Sequence, residues 1–321
     1  MTKVVKVSSP GKLMLMGEHA VVYGKPALVT ALSCRLTVSV KKNSFSDINI
    51  NARDLEYKTS IPLPDLYRYQ APRQMAFIIK TITRFYSEFN INDGLDISIK
   101  SQFSPQLGLG SSAAVTVAAF HALSVLFQKN LSKYKLFELA YRVVSDIQGK
   151  TSGFDVASSI FGGTICYQMD KKIVNLKKVN PPFLVVYTGV KADTGRLVNK
   201  VSQIKKKKAR LVNRVFAEIS ALVEKGKKSY VNEDWSEFGR LMGRHQHLLF
   251  DLGVSTFKIE KLIDLALKNG ALGAKLSGAG GGDCIIVLVE KNIKEKLAKI
   301  LALHGGYIID VDFESPGVSL I

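Results

Sequence analysis

Apolar residues recur along this chain in two rhythms, and the change of rhythm marks its elements. Short apolar or alternating runs predict a strand at Val4 to Val7 and a second short apolar segment at Lys12 to Met16. Arg35 to Lys41 and Ile48 to Ile50 predict the strands of a hairpin, with Asn43-Ser-Phe-Ser-Asp47 as its turn. Spacings of three and four residues predict helices over Gln74 to Glu88, Ala113 to Gln128 and Lys133 to Ile147. Leu95 to Lys100 and Gly163 to Gln168 predict strands, and Leu184 to Tyr187 another after the Pro181-Pro182 break. Beyond it come helices near 194–228, 233–249 and 256–268, then strands at Ala274 to Leu276 and Cys284 to Glu290. A helix at 292–303 and a final strand near Tyr307 to Val311 complete the expected order. A boundary at Pro182 divides the chain into residues 1–181 and 182–321. Both parts mix strands and helices, with hairpins in the first, so the expected class is α+β and not a doubly wound parallel sheet.

Composition narrows the setting. The 321 residues, 46% of them apolar, are enough for two domains with a proper core. No apolar run approaches the roughly 20 residues of a membrane span. Met1 to Ser9 has no signal-peptide core, so a cytoplasmic protein without a membrane partner is expected. Cys34, Cys166 and Cys284 stand far apart in apolar sequence and read as buried thiols, not as a disulfide framework or zinc site. His245 and His247 read as polar positions on one helix, not as a metal pair.

The net charge of +18 raises the question of nucleic acid. Half of that excess lies between Lys191 and Lys228, with 12 Lys and Arg against Asp193, Glu218 and Glu224. There Leu211, Val212, Val215, Phe216, Ile219, Leu222 and Val223 form an apolar helix face, so the basic residues read first as a solvated face and next as a field that draws in anionic substrates. No aromatic residues interleave the run, so a basic nucleic-acid-binding protein is the alternative of a different class, and no nucleic-acid partner is expected.

The candidate chemistry lies in glycine-rich segments. Gln106-Leu-Gly-Leu-Gly-Ser-Ser-Ala-Ala-Val115 opens a predicted helix. A helix start leaves backbone N–H groups without partners and carries partial positive charge. Glycines let a phosphate approach that backbone, and serines add hydroxyl donors or a metal ligand, so a polyphosphate site competes with an ordinary capped turn. A dinucleotide-binding turn fails on context, because no Asp or Glu occurs from Ser111 to Phe137. A Walker A loop fails because no Lys follows the second glycine. Pro10 to Gly24 and Lys275-Leu-Ser-Gly-Ala-Gly-Gly-Gly-Asp-Cys284 add two further glycine-bearing segments. In Gln148 to Gly163 one carboxylate, Asp155, stands in a glycine- and serine-rich stretch. It is a helix cap, or an acceptor for the proton of an attacking hydroxyl.

Together these segments resemble the three motifs of the GHMP kinase superfamily, in order and spacing, across essentially the whole chain. Within it, Gly17-Glu-His-Ala-Val-Val-Tyr-Gly-Lys-Pro-Ala27 and Leu252-Gly-Val-Ser-Thr256 with the later glycine run are most similar to the mevalonate kinase family. The resemblance implies a two-domain GHMP kinase fold, with an N-terminal domain like ribosomal protein S5 domain 2 and a C-terminal ferredoxin-like domain. It implies ATP-dependent phosphorylation of the 5-hydroxyl of mevalonate, in isoprenoid precursor synthesis, with Mg²⁺ as cofactor. Leu107, Gly108, Leu109, Gly110, Ser111 and Ser112 would wrap the ATP phosphates, with Ser112 as a Mg²⁺ ligand. Gly278, Ala279 and Gly280 would close the nucleotide site. Asp155 and Lys12 would be catalytic, and Glu18, His19 and Thr194 would contact the acceptor.

The chain departs from that pattern at three places. Val144 stands where the family has a second metal-binding Glu, with Asp146 nearby. Thr151-Ser-Gly-Phe-Asp155 and Asp283 are similar to phosphomevalonate kinases, which keeps 5-phosphomevalonate as the alternative acceptor. A homodimer is compatible with all of this.

Overall fold

The computed structural model describes residues 3–72 and 74–321. Met1 and Thr2, the start of the segment read above for a leader, lie outside the described residues. Val5–Met16 (β1) is one strand running through both predicted apolar segments. An irregularity in its register between Pro10 and Lys12 marks where the two runs part. β1 pairs antiparallel with Ala27–Lys42 (β2), and Asp47–Ala52 (β3) pairs with Tyr57–Pro62 (β4).

After the helix Ala76–Phe89 (α1), Leu95–Ser101 (β5) corrects the expected hairpin. β2 and β3 do not pair; β5 lies between them, antiparallel to β2 with Val38 opposite Ile99, and parallel to β3 with Ile50 opposite Ile97. Two causes are visible. Leu95, Ile97 and Ile99 are buried on the core face, a load suited to a central strand. Asn43 and Asn49 both donate to Asp96 Oδ1, at 3.0 and 2.9 Å, pinning the expected turn to the inserted strand.

Ser111–Leu126 (α2) and Phe154–Phe161 (α4) pack on this sheet, and Lys133–Gln148 (α3) packs on α1, α2 and α4. α2 buries residues around its whole circumference, from Ala113 to Leu126, which makes it the central helix of the layer. Thr164–Tyr167 (β6) joins the first residues of β2, and Val174–Asn175 (β7) joins β6.

The second sheet has the order β11-β8-β10-β9, built from Phe183–Tyr187 (β8), Gly273–Ser277 (β9), Cys284–Leu288 (β10) and Tyr307–Ile309 (β11). Its helices are Thr194–Lys207 (α5), Ala209–Val231 (α6), Trp235–Asp251 (α7), Phe257–Lys268 (α8) and Lys291–Leu303 (α9). The single helix expected over 194–228 is therefore two, broken at Lys208. Like charges a turn apart weaken a helix interior, whereas cations at a helix C-terminus are favoured. Breaking at the end of Lys205–Lys208 converts the first situation into the second.

Ser319–Leu320 (β12), absent from the predicted order, returns to pair with β1. The Arg35 guanidinium ties this tail down. It donates to Ser8 Oγ at 2.9 Å, Pro316 O at 2.8 Å and Gly317 O at 2.8 Å. Tyr230 of α6 adds a bond to Glu314 Oε1 at 2.6 Å, and Phe313 packs on Phe183 of β8. The α+β class holds.

Candidate active site

The loop before α2 is shaped for an anion. Gly110, at φ 84°, is the N-cap residue; no side chain caps the helix and no acidic residue stands in its first turn. The first backbone N–H groups of α2 are thus left for a ligand. β1 pins this loop: Lys12 N donates to Leu109 O at 2.9 Å and Lys12 Nζ to Gly108 O at 3.1 Å. A Cβ on Gly110 would come within 2.8 Å of Lys12 Cε, so glycine lets the lysine stem cross the loop.

The same ammonium stands 3.0 Å from Asp155 Oδ1. Lys12 is buried, while the Asp155 side chain keeps 28% of its surface, so an incoming hydroxyl can reach the carboxylate. Asp155 lies in the first turn of α4.

The third glycine segment closes over the first. Ser277 Oγ donates to Met14 O at 2.9 Å, and His19 Nε2 lies 2.9 Å from Ala279 O. Asp283 joins three parts of the site. Its Oδ1 accepts from Ala192 N at 3.0 Å and Lys191 Nζ at 3.2 Å, and a Cβ on Gly108 would fall within 2.4 Å of its Oδ2. The phosphate loop, the third glycine segment and the turn leading into Thr194 therefore share one carboxylate.

Known proteins resemble this chain over nearly its whole length. The family description "GHMP kinases N terminal domain" matches residues 76–163, and "GHMP kinases C terminal" matches residues 219–305. Mevalonate kinase of Pyrococcus horikoshii is 35% identical over 318 residues, covering 95% of this chain and 94% of the relative. That of Pyrococcus abyssi is 34% identical with the same coverage. The chain belongs to the mevalonate kinase family of GHMP kinases. The crystal structure of Methanococcus jannaschii mevalonate kinase superposes with a TM-score of 0.82 at 29% identity, covering 98% of this chain and 99% of that one.

Lys12 thus meets Gly108 to Gly110 and Asp155, and His19 meets Ala279, while Thr194 is exposed at the first turn of α5. Glu18, expected to face the acceptor, is instead fully buried and paired with Lys275. Val144 is buried in the core face of α3. Asp146, two residues on and about 200° around the helix, is exposed and does not replace it. His247 is an exposed helix position as expected, but His245 is not: it is fully buried 3.5 Å from Glu18.

Sequence reading missed Lys275, His245 and the contacts of Asp283. Lys275 did leave a signal, a lone cation in an otherwise buried strand. Among the described residues no three His, Cys, Asp or Glu side chains cluster for a metal, and no helix is long and apolar enough to cross a membrane.

The cysteines are free; Cys284 is buried, while Cys34 and Cys166 are half-buried rather than fully enclosed. Burial pushes the Cys284 thiol up to about 12 and Cys34 up to about 11, and raises Cys166. Since the thiolate is the reactive form, native protein at about pH 8 is expected to take up iodoacetamide far more slowly than urea-unfolded protein. Mass spectrometry showing equal labelling rates would contradict this.

Proposed function

We propose that this protein transfers the γ-phosphoryl group of ATP to the 5-hydroxyl of mevalonate, giving 5-phosphomevalonate and ADP, as an early step of isoprenoid precursor synthesis in the cytoplasm. The observation that carries the reading is the Lys12–Asp155 pair at 3.0 Å, set against an uncapped, glycine-led helix start.

Phosphoryl transfer asks mainly for positioning and for charge stabilisation. The α2 N-terminus and the loop Leu107 to Ser112 hold the phosphates by backbone N–H groups, and Gly278 to Gly280 close the nucleotide from the other side. Asp155 orients the acceptor hydroxyl and takes its proton as the bond to phosphorus forms. Lys12 holds that carboxylate in place and offsets the negative charge spread over the transferred group. His19 and Thr194 stand on the acceptor side.

Magnesium suits the donor set. A serine hydroxyl at the start of α2 leaves room for the phosphate oxygens and waters that this ion prefers. Ser112 would hold it, and it would neutralise charge on the phosphates. Ser112→Ala is therefore expected to raise the Mg²⁺ concentration needed for half-maximal rate; an unchanged requirement removes Ser112 from that role.

The deciding experiment is coupled ADP release with mevalonate and with 5-phosphomevalonate. Turnover on mevalonate supports the reading. Turnover on the phosphorylated acceptor alone would make Thr151 to Asp155 and Asp283 the marks of a phosphomevalonate kinase.

A further inference from the structure

Three ionisable side chains beneath His19 have no part in the chemistry above. Lys275, in the middle of β9, has no exposed surface; its Nζ pairs with Glu18 Oε1 and also donates to Leu276 O. His245 of α7 is equally buried, with Nε2 3.5 Å from Glu18 Oε2. Glu18 Oε2 and both ring nitrogens of His245 have no hydrogen-bonding partner. Burying such groups is costly, and a buried ion pair is often no more stabilising than well-packed apolar side chains of the same volume. Stability alone therefore leaves the trio unexplained.

What lies above it is His19. Its backbone is held at φ 59°, a region that a non-glycine residue occupies only when its surroundings fix it there. Glu18 points down to Lys275 and His245, and His19, the next residue, reaches Ala279 O in the third glycine segment. A carbonyl oxygen only accepts, so His19 Nε2 carries the proton and Nδ1 offers a lone pair. Burial holds the His19 ring below its ordinary range and keeps it neutral. A neutral, oriented Nδ1 is an acceptor for a hydroxyl.

We infer that Glu18 is a positioning residue, anchored by Lys275 and His245, and that this trio acts on the reaction through His19, whose Nδ1 accepts a hydroxyl of the acceptor. The inference rests on the phosphoryl-transfer reading, with mevalonate as acceptor. Glu18 then touches no substrate. It fixes the backbone from which His19 presents its ring, and Ala279 fixes the ring itself.

The test is a mutant cycle on kcat/KM for mevalonate, with ADP affinity measured alongside. Lys275→Met alone strands a buried carboxylate, so the variant to use is Glu18→Gln with Lys275→Met, which removes both charges at nearly constant volume. Folding is checked by circular dichroism and a thermal melt. The expected result is a fall in kcat/KM of about tenfold or more, with ADP affinity unchanged. In a His19→Ala background the same pair of substitutions should then change kcat/KM less than about twofold, because their route of action is already gone.

Near-wild-type kinetics in the folded double variant would overturn the inference, leaving a purely structural pair. Losses that multiply in the His19→Ala background would overturn it too, since Glu18 would then act on its own. If the double variant does not fold, His245→Phe is taken through the same cycle with the same criteria. A wild-type protein that turns over ATP with no help from mevalonate would instead overturn the functional reading itself.

Discussion

Asp155→Asn is expected to lower kcat by about 10²–10⁴-fold while ADP still binds. The substitution keeps the volume of the side chain and removes only the group that accepts a proton. Lys12 retains its bond to Gly108 O, so the phosphate loop keeps its anchor. Binding of the nucleotide needs the loop, whereas only the transition state needs the carboxylate, and the loss belongs in kcat. Calorimetry should find ADP affinity at the wild-type level or higher, because one negative charge has left the neighbourhood of the phosphates. Steady-state turnover close to wild type would remove Asp155 from the chemistry.

The largest effect on stability is expected from Lys275→Met. Removing one partner of a fully buried ion pair costs about 3–5 kcal/mol, because the remaining charge has neither water nor counterion. Adding Glu18→Gln should return most of that loss. The pH dependence has a definite sign. Burial already raises Glu18 above its ordinary 4.5, and Lys275 opposes that rise. Without the lysine the folded-state value climbs further above the unfolded one. Stability of the variant is then greatest below the ordinary carboxylate value and is lost as pH rises through the folded value. Urea unfolding at about pH 8 and about pH 5 should therefore show a smaller deficit at the lower pH. A deficit independent of pH would mean that the cost is one of packing, not of charge.

Helices were the most legible part of the sequence, because their apolar spacing is local: α1, α3, α7 and α8 lie within a few residues of their predicted spans. Strand partners were not. Arg35 to Lys41 and Ile48 to Ile50 are adjacent in sequence and look like a hairpin, yet β5 separates them through Asp96 and three buried aliphatic residues. β4 was missed because Tyr57–Pro62 buries only Ile61. In the site, glycines announced the phosphate loop because backbone approach needs them. The ionic trio under His19 stayed hidden, since Glu18 is more than 200 residues from both Lys275 and His245 and meets them only through the fold.

The return of the tail has a consequence for synthesis. β1 leaves the ribosome long before its partner β12. The acceptors for Arg35 at Pro316 and Gly317 arrive equally late. One edge of the first sheet thus stays unpaired until β12 has been made, an open template of the kind chaperones cover. A circular permutant that places residues 311–321 ahead of β1 would deliver both strands together and should aggregate less during expression.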